Sequence, residues 1–247
     1  MRSSGAPLGN LWGTCGASQR RGFSGRREVA IGLGAYAGYL LVRGIVVRRR
    51  GRERAAVNAR RLVALERRLR IHVEPAVQGL LLPRRRRAVA VLNVAYVTLN
   101  VALTVGVLMR LFVLRHPHFH RARRATAIGM LAAQPIFLLM PTEPPRKQEH
   151  LVDTIEEVTG IDLDSGLIVK LYNPIAALPS IHMVFAMCTS AAVLSSSSSA
   201  PVRGLAFAYP AGVAFTVLVT ANHYVLDIAG GTVLALAAIK LARALER

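Results

Sequence analysis

The chain has 247 residues, of which 53% are hydrophobic, and its formal net charge is +19. A soluble globular protein rarely combines these two extremes, which argues against a soluble fold. Apolar runs alternate with short arginine-rich stretches, as membrane spans alternate with their charged flanks. A pI near 11.5 would also suit a nucleic-acid-binding protein, but the sequence contains no known nucleic-acid-binding motif. We therefore predict an all-α, multi-pass transmembrane helix bundle that contacts anionic lipid headgroups and binds no nucleic acid.

Residues 1–27 are rich in glycine, serine and arginine, and no apolar core of the signal-peptide type follows Met1. We predict a disordered basic tail for this segment. Residues 28–122 are predicted to hold the first two spans, and residues 123–247 four more. Cys15 lies in the tail and Cys188 in an apolar run, so the sequence gives no reason to expect a disulfide.

Six apolar stretches approach the roughly 20 residues that a helix needs to cross about 30 Å of hydrocarbon. The predicted spans are Val29–Val47, Ala88–Leu114, Ala125–Met140, Ser180–Ser197, Leu205–Thr220 and Leu226–Leu241. The first stretch is rich in glycine, so a bundle of five spans is the alternative.

Between the first two spans, apolar residues recur at three- and four-residue spacing, with arginines between them. These residues are Ala55, Ala59, Leu62, Leu65, Leu69 and Val73. The pattern predicts an amphipathic helix from Arg52 to Val73 that lies in an anionic membrane interface and ends at Glu74-Pro75. The alternative is a helix that packs against its own protein.

The stretch from Thr142 to Leu178 holds most of the acidic residues of the second half of the chain. We predict an extramembrane loop here, with a short helical face formed by Leu151, Ile155 and Val158. Asp162 and Asp164 lack the glycine and terminal glutamate of a calcium loop. His116, His118 and His120 lie in a short loop between spans, and we interpret them as interface residues rather than metal ligands.

Ionisable residues at the ends of apolar spans are candidates for function, because they are costly to place there. His182 begins the fourth span, His223 follows the fifth, and Asp227 lies four residues later at the start of the sixth. Arg146 follows the third span. If the fourth and fifth spans form a hairpin, all four residues lie at the same end of the bundle.

An arginine beside two histidines and a carboxylate suits chemistry on a phosphate ester. The guanidinium can bind phosphate oxygens, one imidazole can attack phosphorus, and the other can protonate the leaving group. The alternative for His223 and Asp227 is a structural ion pair between two spans.

Two motifs resemble those of the type 2 phosphatidic-acid phosphatase superfamily. They are Pro179-Ser180-Ile181-His182 and His223-Tyr224-Val225-Leu226-Asp227-Ile228-Ala229-Gly230-Gly231. Together with the stretch from Pro141 to Arg146, the pattern is most similar to the inositolphosphotransferase branch, which includes inositol phosphorylceramide synthases. The resemblance makes residues 123–247 a four-span catalytic core.

The resemblance implies a role for each matching residue. His223 would form a phosphohistidine, Asp227 would orient it, and His182 would protonate the leaving group. The substrate phosphate would contact Arg146, together with Lys147, Ser180 and Asn222. The family's chemistry implies no cofactor and no metal.

The sequence departs from the family's phosphatases at four positions. Leu139 replaces a lysine, Lys147 replaces a proline, and Thr216 and Val217 replace a Ser-Arg pair. Two phosphate-binding cations are therefore missing, for which Lys147, Lys170 or Asn222 could compensate.

These departures favour transfer of a lipid phospho-headgroup to an inositol-like alcohol. The alternatives are a phosphatase acting on phosphatidate or a polyprenyl diphosphate, and a catalytically inactive membrane scaffold. A transporter would need polar residues across the whole bilayer, whereas here they gather at one end.

The arginine-rich, lysine-poor composition suits a GC-rich bacterial genome, which predicts a bacterial plasma membrane protein. The arginines are divided evenly between the two sides, so the positive-inside rule gives no orientation. The family resemblance implies a site that faces away from the cytoplasm.

Overall fold

The computed structural model describes residues 23–148, 150–160 and 172–246, and within these residues the chain forms helices and no β-strand. The nine α-helices of this described part are α1 (Gly25–Val46), α2 (Arg49–Leu69), α3 (Glu74–Leu81), α4 (Arg86–Val113), α5 (Phe119–Leu139), α6 (Thr154–Thr159), α7 (Ile181–Ser196), α8 (Ala200–Val219) and α9 (Val225–Ala244). A π-helical turn at Ala95–Leu99 interrupts α4. The predicted all-α membrane fold is confirmed.

Four helices are long and apolar enough to cross a membrane: α1, α4, α8 and α9. The third and fourth predicted spans correspond to α5 and α7. The 16 residues of α7 make it shorter than a typical span. Helix α5 has 21 residues but carries three arginines near its start, which lowers its hydropathy. All six predicted spans are therefore helices, and four of them meet the length and hydropathy requirement.

The core of the bundle forms where α5, α7 and α9 pack together through small residues. At Gly129, an added Cβ would lie 2.5 Å from the Val184 side chain. At Gly231, an added Cβ would lie 2.3 Å from the Ser180 carbonyl oxygen. Small residues allow close helix contact in membranes. The contact at Gly231 brings the second turn of α9 against the start of α7, next to His182.

Helix α2 is shorter than predicted and uses a different face. It ends at Leu69 because Arg70 adopts the left-handed conformation at φ 58°, so the prediction of a helix up to Val73 is wrong at its end. The buried residues are Ala55, Ala59, Val63 and Glu66, which pack against the protein itself, including the Tyr224 ring.

Other predicted face residues of α2 stay exposed. The exposed fraction is 47% at Leu65 and 54% at Leu69. The packing alternative therefore describes one face of α2, and contact with the membrane interface stays a prediction for these leucines. Glu74-Pro75, which we predicted as a terminator, begins the separate helix α3.

The predicted acidic loop contains the short helix α6, and Leu151 and Ile155 are buried as its predicted face requires. Asp162, Asp164 and Lys170 lie outside the described residues, as do residues 1–22 of the predicted tail. Helix α1 begins at Gly25, with Ser24 accepting a hydrogen bond from the Arg27 N–H, so the last residues of the predicted tail are helical.

Candidate active site

Two histidines face each other at one end of the bundle. His182 lies in the first turn of α7, and His223 lies in the turn between α8 and α9. His223 Nε2 is 3.4 Å from His182 Nδ1, and the ring centroids are 5.5 Å apart. Helices α5 and α8 end here and α7 and α9 begin here, so we call this the site end of the bundle and the opposite one the far end.

The contacts of His223 determine which of its ring nitrogens carries the proton. Its Nδ1 lies 3.0 Å from the Ala177 carbonyl oxygen and 3.4 Å from Asp227 Oδ2. A carbonyl oxygen can only accept a hydrogen bond, so Nδ1 is the protonated nitrogen of the neutral ring. The lone pair is then on Nε2, and it points towards His182. This tautomer is the one that a histidine nucleophile needs.

Burial lowers the pKa of His223 to about 3, and the positive charge of Arg146 lowers it further, while the hydrogen bond to Ala177 opposes the shift. Burial disfavours the charged imidazolium because the apolar surroundings cannot solvate it. The His223 ring is therefore neutral near pH 7, with its Nε2 lone pair available for attack on an electrophile.

Asp227 is completely buried and connects the two motifs. Its Oδ2 accepts a hydrogen bond of 2.9 Å from the Tyr224 N–H, which caps the start of α9. Its backbone oxygen accepts a hydrogen bond of 3.0 Å from the Ser180 N–H. Asp227 therefore fixes the turn that carries His223 and holds it against the start of α7.

Arg146 is buried beside the same turn. Its backbone N–H donates to the Ala221 carbonyl oxygen at 2.7 Å, and its side-chain Nη1 donates to Asn222 Oδ1. Its Nε forms an ion pair of 2.8 Å with Asp153 Oδ2. The Asn222 amide in turn donates to both oxygens of Thr220. The guanidinium is thus held against Asn222, the residue that directly precedes His223.

The other two residues predicted to contact phosphate, Ser180 and Lys147, lie in different surroundings from Arg146 and Asn222. Ser180 is buried, and its hydroxyl accepts a hydrogen bond of 3.3 Å from the Met183 N–H as the cap of α7. Lys147 follows Arg146 in a short 3-10 turn and is exposed. The structure thus brings Arg146, Asn222 and the two histidines together, and it leaves Lys147 at the surface.

Three of the four positions that depart from the family pattern hold uncharged side chains. Leu139 is 70% exposed. The Thr216 hydroxyl donates to the Gly212 carbonyl oxygen within α8, and Val217 is buried in the core. These side chains supply no positive charge in place of the two missing cations.

Helix α4 contributes residues that sequence analysis did not single out. The Tyr96 ring stacks on His182, with centroids 4.3 Å apart and planes inclined by 26°. Asn100 donates to the His182 carbonyl oxygen at 3.2 Å and to the Tyr209 hydroxyl at 3.1 Å. The available signal was that Asn93, Tyr96 and Asn100 are polar residues at helical spacing inside an apolar span.

Two cavities meet at His182. The smaller one holds about 40 Å³ and is lined by both histidines, Asn222 and aromatic residues. The larger one holds about 500 Å³ between α1, α4 and α7 and is almost entirely apolar. Tyr39, Tyr96, Tyr172, Ile181 and His182 line both cavities. An apolar chamber therefore lies next to the polar histidine site and shares lining residues with it.

Comparison with known proteins identifies one family for most of the chain. The family model described as the PAP2 superfamily matches residues 60–241. The match begins in α2 and extends to α9, so it includes more of the first half than the motif resemblance did. No curated protein and no solved structure gives a significant match.

Proposed function

The chain belongs to the PAP2 superfamily, whose members are phosphatases or phosphotransferases, and on this premise we propose that it transfers a lipid phospho-headgroup to an inositol-like alcohol. The observation that carries the proposal is the placement of a neutral His223 Nε2 opposite His182 Nδ1. One ring can attack phosphorus while the other exchanges a proton with the oxygen that leaves or attacks.

In the first step, His223 Nε2 attacks the phosphorus of the lipid headgroup. The bond between phosphorus and the oxygen of the lipid alcohol breaks, and this oxygen takes a proton from the imidazolium form of His182, which becomes neutral. The products are a headgroup-phosphohistidine and the free lipid alcohol. The Ala177 carbonyl oxygen accepts a hydrogen bond from His223 Nδ1, and Asp227 lies beside the same nitrogen. Both groups therefore stabilise the positive charge that develops on the His223 ring.

In the second step, His182 removes a proton from a hydroxyl of the acceptor, and the hydroxyl oxygen attacks the phosphohistidine. The bond between phosphorus and Nε2 breaks, and His223 returns to its neutral form. The two histidines exchange no net proton with solvent over the cycle. The mechanism needs no metal ion at phosphorus, because Arg146 can neutralise the phosphate oxygens.

The absence of the family's lysine and second arginine favours a substrate with less negative charge at phosphorus. A phosphodiester carries one negative charge, whereas a phosphate monoester carries nearly two at neutral pH. Arg146 with the Asn222 amide suits the single charge of a phosphodiester. This argument supports a headgroup transferase over a monoester phosphatase.

The apolar chamber supports a lipid donor. Its volume of about 500 Å³ lies in the range of ligand pockets, and His182 lines it as well as the cavity of the histidine site. A hydrocarbon chain of the donor fits this environment, because the lining residues offer few polar groups. The lipid phosphate would then lie between the chamber and Arg146.

One observation favours hydrolysis as the second candidate. The cavity beside the histidines, at about 40 Å³, exceeds the roughly 10–15 Å³ that a cavity needs to hold one water molecule, so water fits there. A water molecule could replace the alcohol in the second step and release phosphate from phosphatidate or a polyprenyl diphosphate. An inactive scaffold is the remaining alternative.

We also propose a bacterial plasma membrane location, with the site end facing away from the cytoplasm. The arginines on the exposed face of α2 would contact anionic headgroups at this end, where exposed Leu65 and Leu69 could enter the interface.

The test is turnover of the purified protein in lipid nanodiscs. The donors are phosphatidylinositol, phosphatidate and a polyprenyl diphosphate, each with and without added inositol. His223→Gln is the informative variant, since the glutamine amide lies near the position of Nε2 but cannot form the adduct. His118→Gln is the control, because it changes a histidine at the far end.

We expect His223→Gln to lower turnover by at least about a thousandfold, and His118→Gln to leave it within about twofold. Dependence of product formation on inositol supports the transferase, and release of free phosphate without inositol supports the phosphatase. If neither wild type nor His223→Gln turns over any donor while both bind lipid normally, the protein is an inactive membrane scaffold.

A further inference from the structure

A second cluster of ionisable residues lies outside the histidine site. Glu66 near the end of α2, His72 in the following turn and Glu74 at the start of α3 converge in the interior. The turn folds back because Arg70 is left-handed and the Ile71 N–H donates to the Glu66 carbonyl oxygen at 2.9 Å. We call these three residues the Glu66–His72–Glu74 cluster.

The carboxylate oxygens and the imidazole nitrogen of the cluster lie close to one another. His72 Nδ1 lies 2.9 Å from Glu74 Oε2 and 3.5 Å from Glu66 Oε2, and the potential ligand atoms of the three residues lie within 4.8 Å of one another. Among the described residues, these two carboxylate oxygens and both His72 ring nitrogens have no hydrogen-bond partner outside the cluster. Both glutamate side chains are fully buried, and that of His72 is 10% exposed.

We propose that the Glu66–His72–Glu74 cluster binds a divalent transition-metal ion, best matched by Zn²⁺, and that the bound ion holds the start of α9 in place.

The spacing of the cluster suits such an ion. Tetrahedral Zn²⁺ has nitrogen and oxygen ligands at about 2.0–2.1 Å, which places neighbouring ligand atoms about 3.3 Å apart. The two distances from His72 Nδ1 lie on either side of this value. Two carboxylates and one imidazole leave the fourth position for water. The exposed edge of His72 gives the ion a path from solvent.

The charges of the cluster also call for a cation. Within the described part of the chain, His72 is the ion-pair partner of both glutamates. A divalent ion would neutralise both carboxylates while coordinating a neutral imidazole.

The second oxygen of each glutamate reaches the catalytic end of α9. Glu74 Oε1 accepts from the Val225 N–H at 3.0 Å, and Glu66 Oε1 accepts from the Leu226 N–H at 2.8 Å. With Asp227 on the Tyr224 N–H, three consecutive amides at the positive end of α9 bind carboxylates. An ion that fixes Glu66 and Glu74 would therefore also fix the turn between His223 and Asp227.

This assignment revises the expectation of no metal, since the sequence placed all three residues in an arginine-rich segment without a metal motif. The ion takes no part in phosphoryl transfer in this assignment. It is a structural ion, and its presence is measurable without any substrate.

The experiment measures metal content and thermal stability of the full-length protein in detergent. The protein is prepared in metal-free buffer, analysed by elemental mass spectrometry, and then titrated with Zn²⁺ alone after treatment with a chelator. We expect about one transition-metal ion per chain, a lower Tm after chelation, and recovery on addition of Zn²⁺.

The informative variant is Glu74→Gln, since the glutamine oxygen can still accept from the Val225 N–H while the charge is lost. We expect it to bind Zn²⁺ at least about tenfold more weakly and to lose the Tm response to the chelator. Glu53→Gln is the control, because Glu53 is exposed on α2 and pairs with Arg49 at the surface.

Wild-type protein that holds no metal, with a Tm that neither the chelator nor Zn²⁺ changes, would overturn the proposal. The two carboxyl groups would then share a proton. Stabilisation by Mg²⁺ or Ca²⁺ but not by Zn²⁺ would overturn it as well, because an imidazole ligand selects for transition metals. Both outcomes are read on wild type, so they do not depend on the folding of any variant.

Discussion

The two ends of the bundle have similar residue types but different arrangements. At the far end, Arg123 pairs with Glu28 at 2.8 Å and Arg121 pairs with Glu246, so each of these arginines has a carboxylate partner. At the site end, two histidines face each other beside a cavity, and Arg146 binds Asn222 and Asp153. The far-end pairs join helix α5 to α1 and to the end of the chain.

The comparison teaches that buried ionisable residues mark a functional site only when their reactive atoms face a cavity and are not used to hold the fold together. His118 and His116 at the far end are 5.2 Å apart by ring centroid, much like the site pair, but the His116 Nδ1 accepts from the His118 backbone N–H. The loop uses that nitrogen to close its own turn. At the site end, His223 Nε2 faces a second ring and a cavity.

After replacement of His223, replacement of His182 should cause the largest loss of turnover. His182→Asn keeps an amide near the position of Nδ1 but removes proton exchange, so we expect turnover to fall by about 10²–10⁴-fold. The loss should shrink on a lipid donor with a good leaving group, because such a group departs without protonation. Steady-state rates on the two donors provide the measurement.

The contradicting result is an equal loss on both donors, which would make His182 a structural residue. His116→Asn at the far end is the matched control and should leave both rates unchanged.

The two buried arginines offer the next contrast. Arg146→Lys keeps the charge but loses the planar pair of donors, and we expect kcat/KM to fall by about 10–100-fold. Arg121→Lys at the far end should lower thermal stability and leave kcat/KM within about twofold, since its partner Glu246 serves the fold. Equal effects of the two variants on kcat/KM would remove the distinction between the ends.

Tyr96 tests how much the site depends on the residues that hold the histidines. Its ring stacks on His182, so Tyr96→Leu should lower kcat by about tenfold, while Tyr96→Phe, which keeps the ring, should lower it by no more than about threefold. Lipid binding, measured separately, should not change in either variant. If Tyr96→Phe is as damaging as Tyr96→Leu, the hydroxyl rather than the stacked ring is the important group.

The smallest expected effect is on the pH dependence of stability. Because burial lowers the pKa of His223 from its ordinary 6.5 to about 3, the unfolded chain binds a proton that the folded chain rejects between these values. Stability is therefore complete above about pH 6.5 and falls as the pH drops towards 3, by about 1.4 kcal/mol per pH unit from this residue.

His223→Gln should flatten the curve by that slope between about pH 6 and pH 4. Unfolding titrations in mixed micelles at several pH values provide the measurement. Parallel curves for wild type and variant would show that folding does not lower the pKa of His223, which would contradict its burial as a neutral ring.

The sequence predicted the helices well where apolar length decides the structure. Spans such as α8 and α9 follow from hydropathy alone, since hydrocarbon requires long uncharged helices. It predicted the end of α2 less well, because the left-handed Arg70 has no strong local signal and no glycine marks the turn. The buried face of α2 was predicted at Ala55 and Ala59 but not at Val63 and Glu66, since contacts with Tyr224 depend on the tertiary structure.

The site residues that share a motif were within reach of sequence reasoning, and those from distant helices were not. His223 and Asp227 are four residues apart, so their contact is local. Tyr96 lies 86 positions before His182 on another helix, and only packing brings the two rings together. The Glu66–His72–Glu74 cluster was hidden for the same reason, because it forms against the backbone of α9.

The most direct test of the central claim is to trap the covalent intermediate on His223. Wild-type protein in nanodiscs is mixed with phosphatidylinositol in the absence of acceptor, quenched over a time course, and analysed by peptide mass spectrometry under conditions that preserve phosphohistidine. We predict an acid-labile phosphorus adduct on the peptide that contains His223, which disappears when inositol is added and product forms. Product that forms while His223 remains unmodified at every time point, or an adduct on a different residue, would contradict the account.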